Sequence, residues 1–167
     1  DKPGEPLHRY PGFTSAIWQC HPQSRGSIEI INPDPTADPK IQPNYLADEL
    51  DQKTMVEGIK ILRKIYKQPK FQDLWDAEII PGKQVRTDAE IIDAIRKGGG
   101  TVYHPVGTCK MGIDAAAVVG PDLLVHGVAG LRVVDASIMP LITSANTNAP
   151  TLMIAEKAAE MILASGN

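Results

Sequence analysis

His104 is the side chain in this sequence best suited to move a proton near neutral pH, because an unperturbed imidazole titrates at about 6.5. It stands in Tyr103-His104-Pro105-Val106-Gly107-Thr108-Cys109-Lys110-Met111-Gly112, shortly after three consecutive glycines, Gly98 to Gly100. A position between an aromatic residue and a proline takes it off any apolar helical face. Such a histidine either accepts a proton from a ligand or serves the fold by bonding the backbone. His8, His21 and His126 also fall in turns or loops and are weaker candidates.

A second polar knot, Thr143-Ser144-Ala145-Asn146-Thr147-Asn148-Ala149-Pro150, sits at the mouth of an apolar helix. Asn146 and Asn148 each offer a donor and an acceptor. The start of a helix presents free amides and a partial positive charge, which attract anionic or electron-rich ligand atoms. The plainer reading is that these residues cap the helix and nothing more. Asp135-Ala136-Ser137 closes an apolar run, Leu131 to Val134. It either binds a polar ligand, as the carboxyl ends of strands do in open α/β sheets, or ends a strand. We expect the stretches around His104 and Asn146 to meet and face one ligand.

The elements that must hold these stretches can be read from the pattern of apolar residues. A long helix is predicted from about Ala47 to Gln68, with Asp48 as its cap and Asp51 in its first turn. Met55, Ile59, Leu62 and Tyr66 form its apolar stripe, and Pro69 stops it. Lys60, Arg63, Lys64 and Lys67 lie towards its end and read as a solvated face. Gly58 inside it costs about 1 kcal/mol against alanine, which implies close packing at that point. A second helix opens on the capping box Thr87-Asp88-Ala89-Glu90, buries Ile91, Ile92 and Ile95, and stops at Gly98. The last helix spans about Pro150 to Ala164, capped by Asn148 or Ala149. It is apolar on most sides and should be buried on most sides.

The remaining stretches are shorter. Residues 1–12 read as a loose, extended lead-in rich in proline and glycine. Phe13 to Gln19 and Ser27 to Ile31 are predicted to pair as antiparallel strands around the turn Pro22 to Gly26. Asn32 to Pro43 holds four prolines and reads as a loop. Val118 to Asp135 contains two apolar runs around a turn broken by Gly127 and Gly130, the second being a buried strand, Leu131 to Val134.

Bulk properties set the limits. A chain of 167 residues suits one domain, or one and a part, and can bury a core. Its net charge of −3 and lack of a basic run argue against a nucleic-acid partner. No apolar run reaches the roughly 18 residues that a membrane span requires. Cys20 and Cys109 make no disulfide framework and no metal spacing, and read as free, mostly buried thiols. Neither Gly-x-Gly-x-x-Gly, nor a Walker loop, nor Gly-x-Ser-x-Gly is present, so any phosphate loop for a nucleotide cofactor lies outside this sequence.

Four motifs in order carry a resemblance. They are Gln19-Cys20-His21-Pro22-Gln23-Ser24-Arg25-Gly26, His104 to Gly112, Leu131-Arg132-Val133-Val134-Asp135-Ala136-Ser137-Ile138-Met139-Pro140, and Asn146 to Thr151 followed by Ile154-Ala155-Glu156-Lys157-Ala158. From about residue 12 onward the chain resembles the C-terminal part of the glucose–methanol–choline (GMC) flavoprotein oxidoreductases, in particular the choline dehydrogenase and FAD-linked alcohol dehydrogenase branch. The resemblance implies an α+β fold. Residues 1–112 would form part of a substrate-binding domain, an antiparallel sheet flanked by helices. Residues 113–167 would return to the FAD-binding domain as a strand and helix.

The resemblance also implies roles. His104 matches the histidine that removes the alcohol hydroxyl proton, and Asn146 the second active-site position, which hydrogen-bonds the substrate oxygen. Asp135 and Ala136 match the stretch near the FAD pyrophosphate and ribityl chain. Thr147, Asn148, Ala149 and Pro150 match the turn and helix end beneath the flavin. The implied reaction oxidises a primary alcohol, choline among the candidates, to an aldehyde, with flavin N5 as hydride acceptor. A lyase of the same fold and a non-catalytic binding domain are the alternatives.

Because most of an FAD domain is missing, the chain is expected to be a fragment that holds FAD weakly or not at all and turns over nothing by itself. Its expected partners are the absent N-terminal FAD domain, a small alcohol and an unspecified electron acceptor. The expected location of the intact enzyme is the cytoplasm, with peripheral association at the inner face of a membrane as an option.

Overall fold

The structure, a computed structural model, describes residues 8–166. The expectation for residues 1–7 lies outside the described residues. In chain order the elements are β1 (Ser27–Glu29), β2 (Lys40–Gln42), α1 (Glu49–Tyr66), a 3-10 turn (Pro69–Phe71), α2 (Asp88–Gly98), a second 3-10 turn (Ala136–Ile138) and α3 (Asn148–Ser165). The class is α+β, as expected.

Helix α1 forms where its periodicity places it. The Asp48 carboxylate caps it by accepting from the Leu50 amide at 2.8 Å. Of its predicted stripe Ile59 packs towards α2, where the shared core is Val56, Ile91 and Ile92, flanked by Ile59, Val85 and Ile95, whereas Tyr66 packs on Phe13, Phe71 and Trp75. Helix α2 carries the full capping box: Thr87 accepts from the Glu90 amide, and Glu90 accepts from the Thr87 amide at 2.9 Å. Gly98 is its last residue, and Gly99 leaves in an extended conformation.

The predicted pairing of Phe13 to Gln19 with Ser27 to Ile31 does not occur. β1 pairs instead with β2, Ile28 opposite Ile41, inside the stretch read as a loop. The prolines of that stretch flank the three paired residues and do not interrupt them. The 13–17 segment is drawn onto α1 by its side chains. Phe13 packs on Tyr66 with ring centroids 5.4 Å apart, and the Ser15 hydroxyl bonds the Tyr66 hydroxyl. Ile17 fills the notch at Gly58, where an added Cβ would lie 2.8 Å from it. The close packing expected at Gly58 is therefore real.

A second core gathers Val119, Leu123, Ile138, Met139, Ile154 and Ala158, with Val106 and Met111 packed against it. The Leu131 to Val134 run is not the buried strand that was predicted. It makes a single antiparallel bridge, Leu124 with Arg132, and Leu131 is half exposed. The partner run is kinked by Leu123, whose φ of 66° is left-handed, so a longer ladder cannot form. Helix α3 also departs from expectation. Only Ile154 and Ala158 are buried, while Leu152, Met153 and Leu163 are 59–82% exposed.

Candidate active site

His104 enters the site from a strained segment. Tyr103 has a φ of 61°, and its amide donates to Thr101 Oγ1 at 3.0 Å. Downstream, Gly107 has a φ of 84° and passes so close to the Met139 carbonyl that an added Cβ would lie 3.2 Å from that oxygen. A glycine satisfies both demands at once. Beyond it the segment is laced to the second 3-10 turn: the Cys109 amide donates to Ser137 O at 3.0 Å and the Met111 amide to Ile138 O at 2.8 Å. The His104 stretch and the Asp135-Ala136 turn thus form one backbone unit.

The polar knot meets this unit. His104, half-buried, lies with Nδ1 2.9 Å from Thr147 Oγ1. Thr147 is 8% exposed. It is the N-cap residue of α3, but its hydroxyl makes no cap bond to the helix. Neither Asn148 nor Ala149 is the cap; both are inside the first turn. Thr147 has a helical backbone, φ −77° and ψ −4°, and not the extended one from which a side chain caps, so its hydroxyl faces the imidazole and the first amides of α3 keep no side-chain partner. Asn146 directly precedes Thr147 and is exposed, and its side chain makes no hydrogen bond among the described residues. Asn148 and Ala149 are exposed and Pro150 is half-buried.

Asp135 is exposed, and its Oδ1 accepts from the Ser137 amide at 2.7 Å, with the Ser137 hydroxyl also bonded. It caps the turn, and Ala136 opens that turn half-buried.

Sequence reasoning undervalued His21. Its Nε2 is 2.7 Å from Ser144 Oγ, so a second histidine holds the same knot from another segment. The loop that carries His21 is itself fixed by Asp51 in the first turn of α1. That carboxylate accepts from the Gln23 amide at 2.8 Å, the Ser24 amide at 2.7 Å and the Ser24 hydroxyl. Burial pushes the Asp51 carboxyl up, but the bonds from Gln23 and Ser24 outweigh it and hold it below its ordinary value. The available signal was the Gln19 to Gly26 motif, which names the residues without saying what they touch. Cys20 and Cys109 are free thiols, each half-buried.

Residues 22–155 match the family model of the GMC oxidoreductases. The chain belongs to the GMC oxidoreductase family. This GMC chain is 52% identical over 152 residues to an alcohol dehydrogenase (acceptor) of Pseudomonas putida, covering 91% of this chain and 28% of that protein. It is 44% identical over 154 residues to an oxygen-dependent choline dehydrogenase of Paraburkholderia xenovorans, covering 92% of this chain and 28% of that protein. Among solved structures, an FAD-dependent oxidoreductase of Chaetomium thermophilum superposes with a TM-score of 0.82 at 29% identity, over 88% of this chain and 26% of that one. This GMC chain therefore spans a little over a quarter of the length of the proteins it matches.

Proposed function

We propose that this chain is the C-terminal, substrate-facing part of an FAD-dependent dehydrogenase that oxidises a small primary alcohol to an aldehyde. The observation that carries the reading is the 2.9 Å bond from His104 to Thr147, because it brings the imidazole to the residue that follows Asn146 in the chain, whose own side chain is exposed. The relatives named for alcohol and choline oxidation support the substrate class. In this reading residues 1–112 belong to the substrate-binding domain and residues 113–167 return to the FAD-binding domain.

The residues present fit FAD at one place in particular. The start of α3 offers the amides of Asn148 and Ala149 with no side-chain cap on them, and a partial positive charge. An electron-rich ring edge is suited to that end. Asp135 turns Oδ1 to Ser137 and, being exposed, keeps Oδ2 for a polar group of the cofactor. When bound, FAD supplies the hydride acceptor that this chain lacks.

The chain's own residues do the rest. Nε2 of His104, the nitrogen not turned to Thr147, takes the hydroxyl proton of the alcohol as its O–H bond breaks. Asn146 donates its amide N–H to the same oxygen, fixing it and stabilising the charge that gathers there. Thr147 holds the imidazole, and the laced 107–111 segment keeps it against the second core. The test is His104→Ala in the full-length enzyme. Turnover should fall by about 10²- to 10⁴-fold while the bound flavin absorbance is kept; unchanged turnover overturns the reading.

A further inference from the structure

We infer that Thr147 is a positioning residue that sets the tautomer of His104, and not a flavin contact. The inference rests on the function proposed above. Two observations separate Thr147 from its neighbours in the turn. Its side chain is 8% exposed, whereas Asn146, Asn148 and Ala149 on either side are exposed. It also forgoes the bond that an N-cap threonine ordinarily makes to its own helix, and places Oγ1 2.9 Å from His104 Nδ1 instead.

The direction of that bond follows from what a base must do. To take a proton at Nε2, the ring must carry its neutral-state proton at Nδ1, and that N–H needs an acceptor. Thr147 Oγ1 is the acceptor within reach. The Nδ1–H to Oγ1 bond then survives proton uptake at Nε2, because Nδ1 stays a donor in the imidazolium. The opposite arrangement, with the hydroxyl donating to Nδ1, puts the ring proton on Nε2 and blocks the base.

The charged groups around the ring do not compete with this effect. Lys110, on the same stretch, is paired with Asp114 at 3.0 Å. Asp135, on the turn laced to that stretch, is bonded to Ser137. On α3 the charged residues Glu156, Lys157 and Glu160 lie beyond the first two turns. No charged side chain is hydrogen-bonded or ion-paired to His104 among the described residues.

The test compares Thr147→Val, which keeps the shape and removes the acceptor, with Thr147→Ser, which keeps the hydroxyl. Both are made in the full-length flavoprotein, with His104→Ala as the reference. Thr147→Val should lower kcat by roughly 10- to 100-fold, the range typical of lost orienting partners, with KM little changed. In protein labelled with 15N-histidine, the ring nitrogen shifts of His104 should report the Nδ1–H tautomer in wild type and a mixture with the Nε2–H form in Thr147→Val, without using turnover. Thr147→Ser should restore most of both. Wild-type kcat and ring nitrogen shifts in Thr147→Val, or a serine variant as impaired as the valine one, overturn the inference. If His104→Ala itself leaves turnover intact, it is the proposed function that fails.

Discussion

His21 and Ser144 lie 123 positions apart in the chain, and His21 Nε2 stands 2.7 Å from Ser144 Oγ. The bond spans the two halves of the molecule. One end rests on a loop fixed by α1; the other lies two residues before Asn146. With His104 holding Thr147, Asn146 lies in the chain between two imidazole–hydroxyl tethers.

Removing one tether should loosen the knot without unfolding the protein. The bond is exposed, so Ser144→Ala is expected to cost no more than about 1 kcal/mol of global stability. Amide hydrogen exchange across residues 143–148 should nevertheless speed up, and His21→Ala should produce the same pattern. Exchange rates equal to wild type in both variants would show that the bond restrains nothing.

Asp51 should dominate the acid sensitivity of the first core. It is 2% exposed and accepts three bonds. Asp51→Ala strands two amide donors and should cost on the order of 3 kcal/mol in chemical denaturation. Because its folded-state carboxyl is held below the ordinary 3.8, its contribution is complete above that pH. The contribution is lost as the pH falls through the lowered folded value. Thermal melts from pH 7 to pH 3 should fall more steeply at the acid end for wild type than for Asp51→Asn.

Gly58→Ala should destabilise although alanine is the better helix former. The helix gains about 1 kcal/mol, but the new methyl meets Ile17 at 2.8 Å, and overpacking of that kind costs about 1–3 kcal/mol. Pairing it with Ile17→Ala should recover part of the loss, so the double variant is more stable than the sum of the singles. Simple additivity would place Ile17 elsewhere.

Asn146→Ala in the full-length enzyme should lower kcat/KM by about 10²-fold, the scale for losing one hydrogen-bond donor to a developing oxyanion. A normal kcat/KM with substrates of several sizes would remove Asn146 from the site.

The helices were legible because each depended on local information. Asp48, the Thr87/Glu90 box and the spacing of Met55, Ile59 and Leu62 all act within a few residues. The strands were not, because pairing is decided at long range. Phe13 and Ile17 alternate like strand residues but are claimed by Tyr66 and Gly58. Lys40 to Gln42 is too short to show a pattern among its prolines. The His104 and Asn146 stretches could be picked out by residue type and by resemblance. Their joint, Thr147 on His104, could not, since a threonine before a helix reads as a cap until its hydroxyl is seen elsewhere.

The double lacing of Cys109 to Ser137 and of Met111 to Ile138 has a mechanical consequence. The imidazole arm and the Asp135 corner can only travel together, like one plate. Relative movement between that plate and the Asn146 knot is then restrained by His104 on Thr147 and, two residues upstream of Asn146, by the single exposed bond that moors Ser144 to His21.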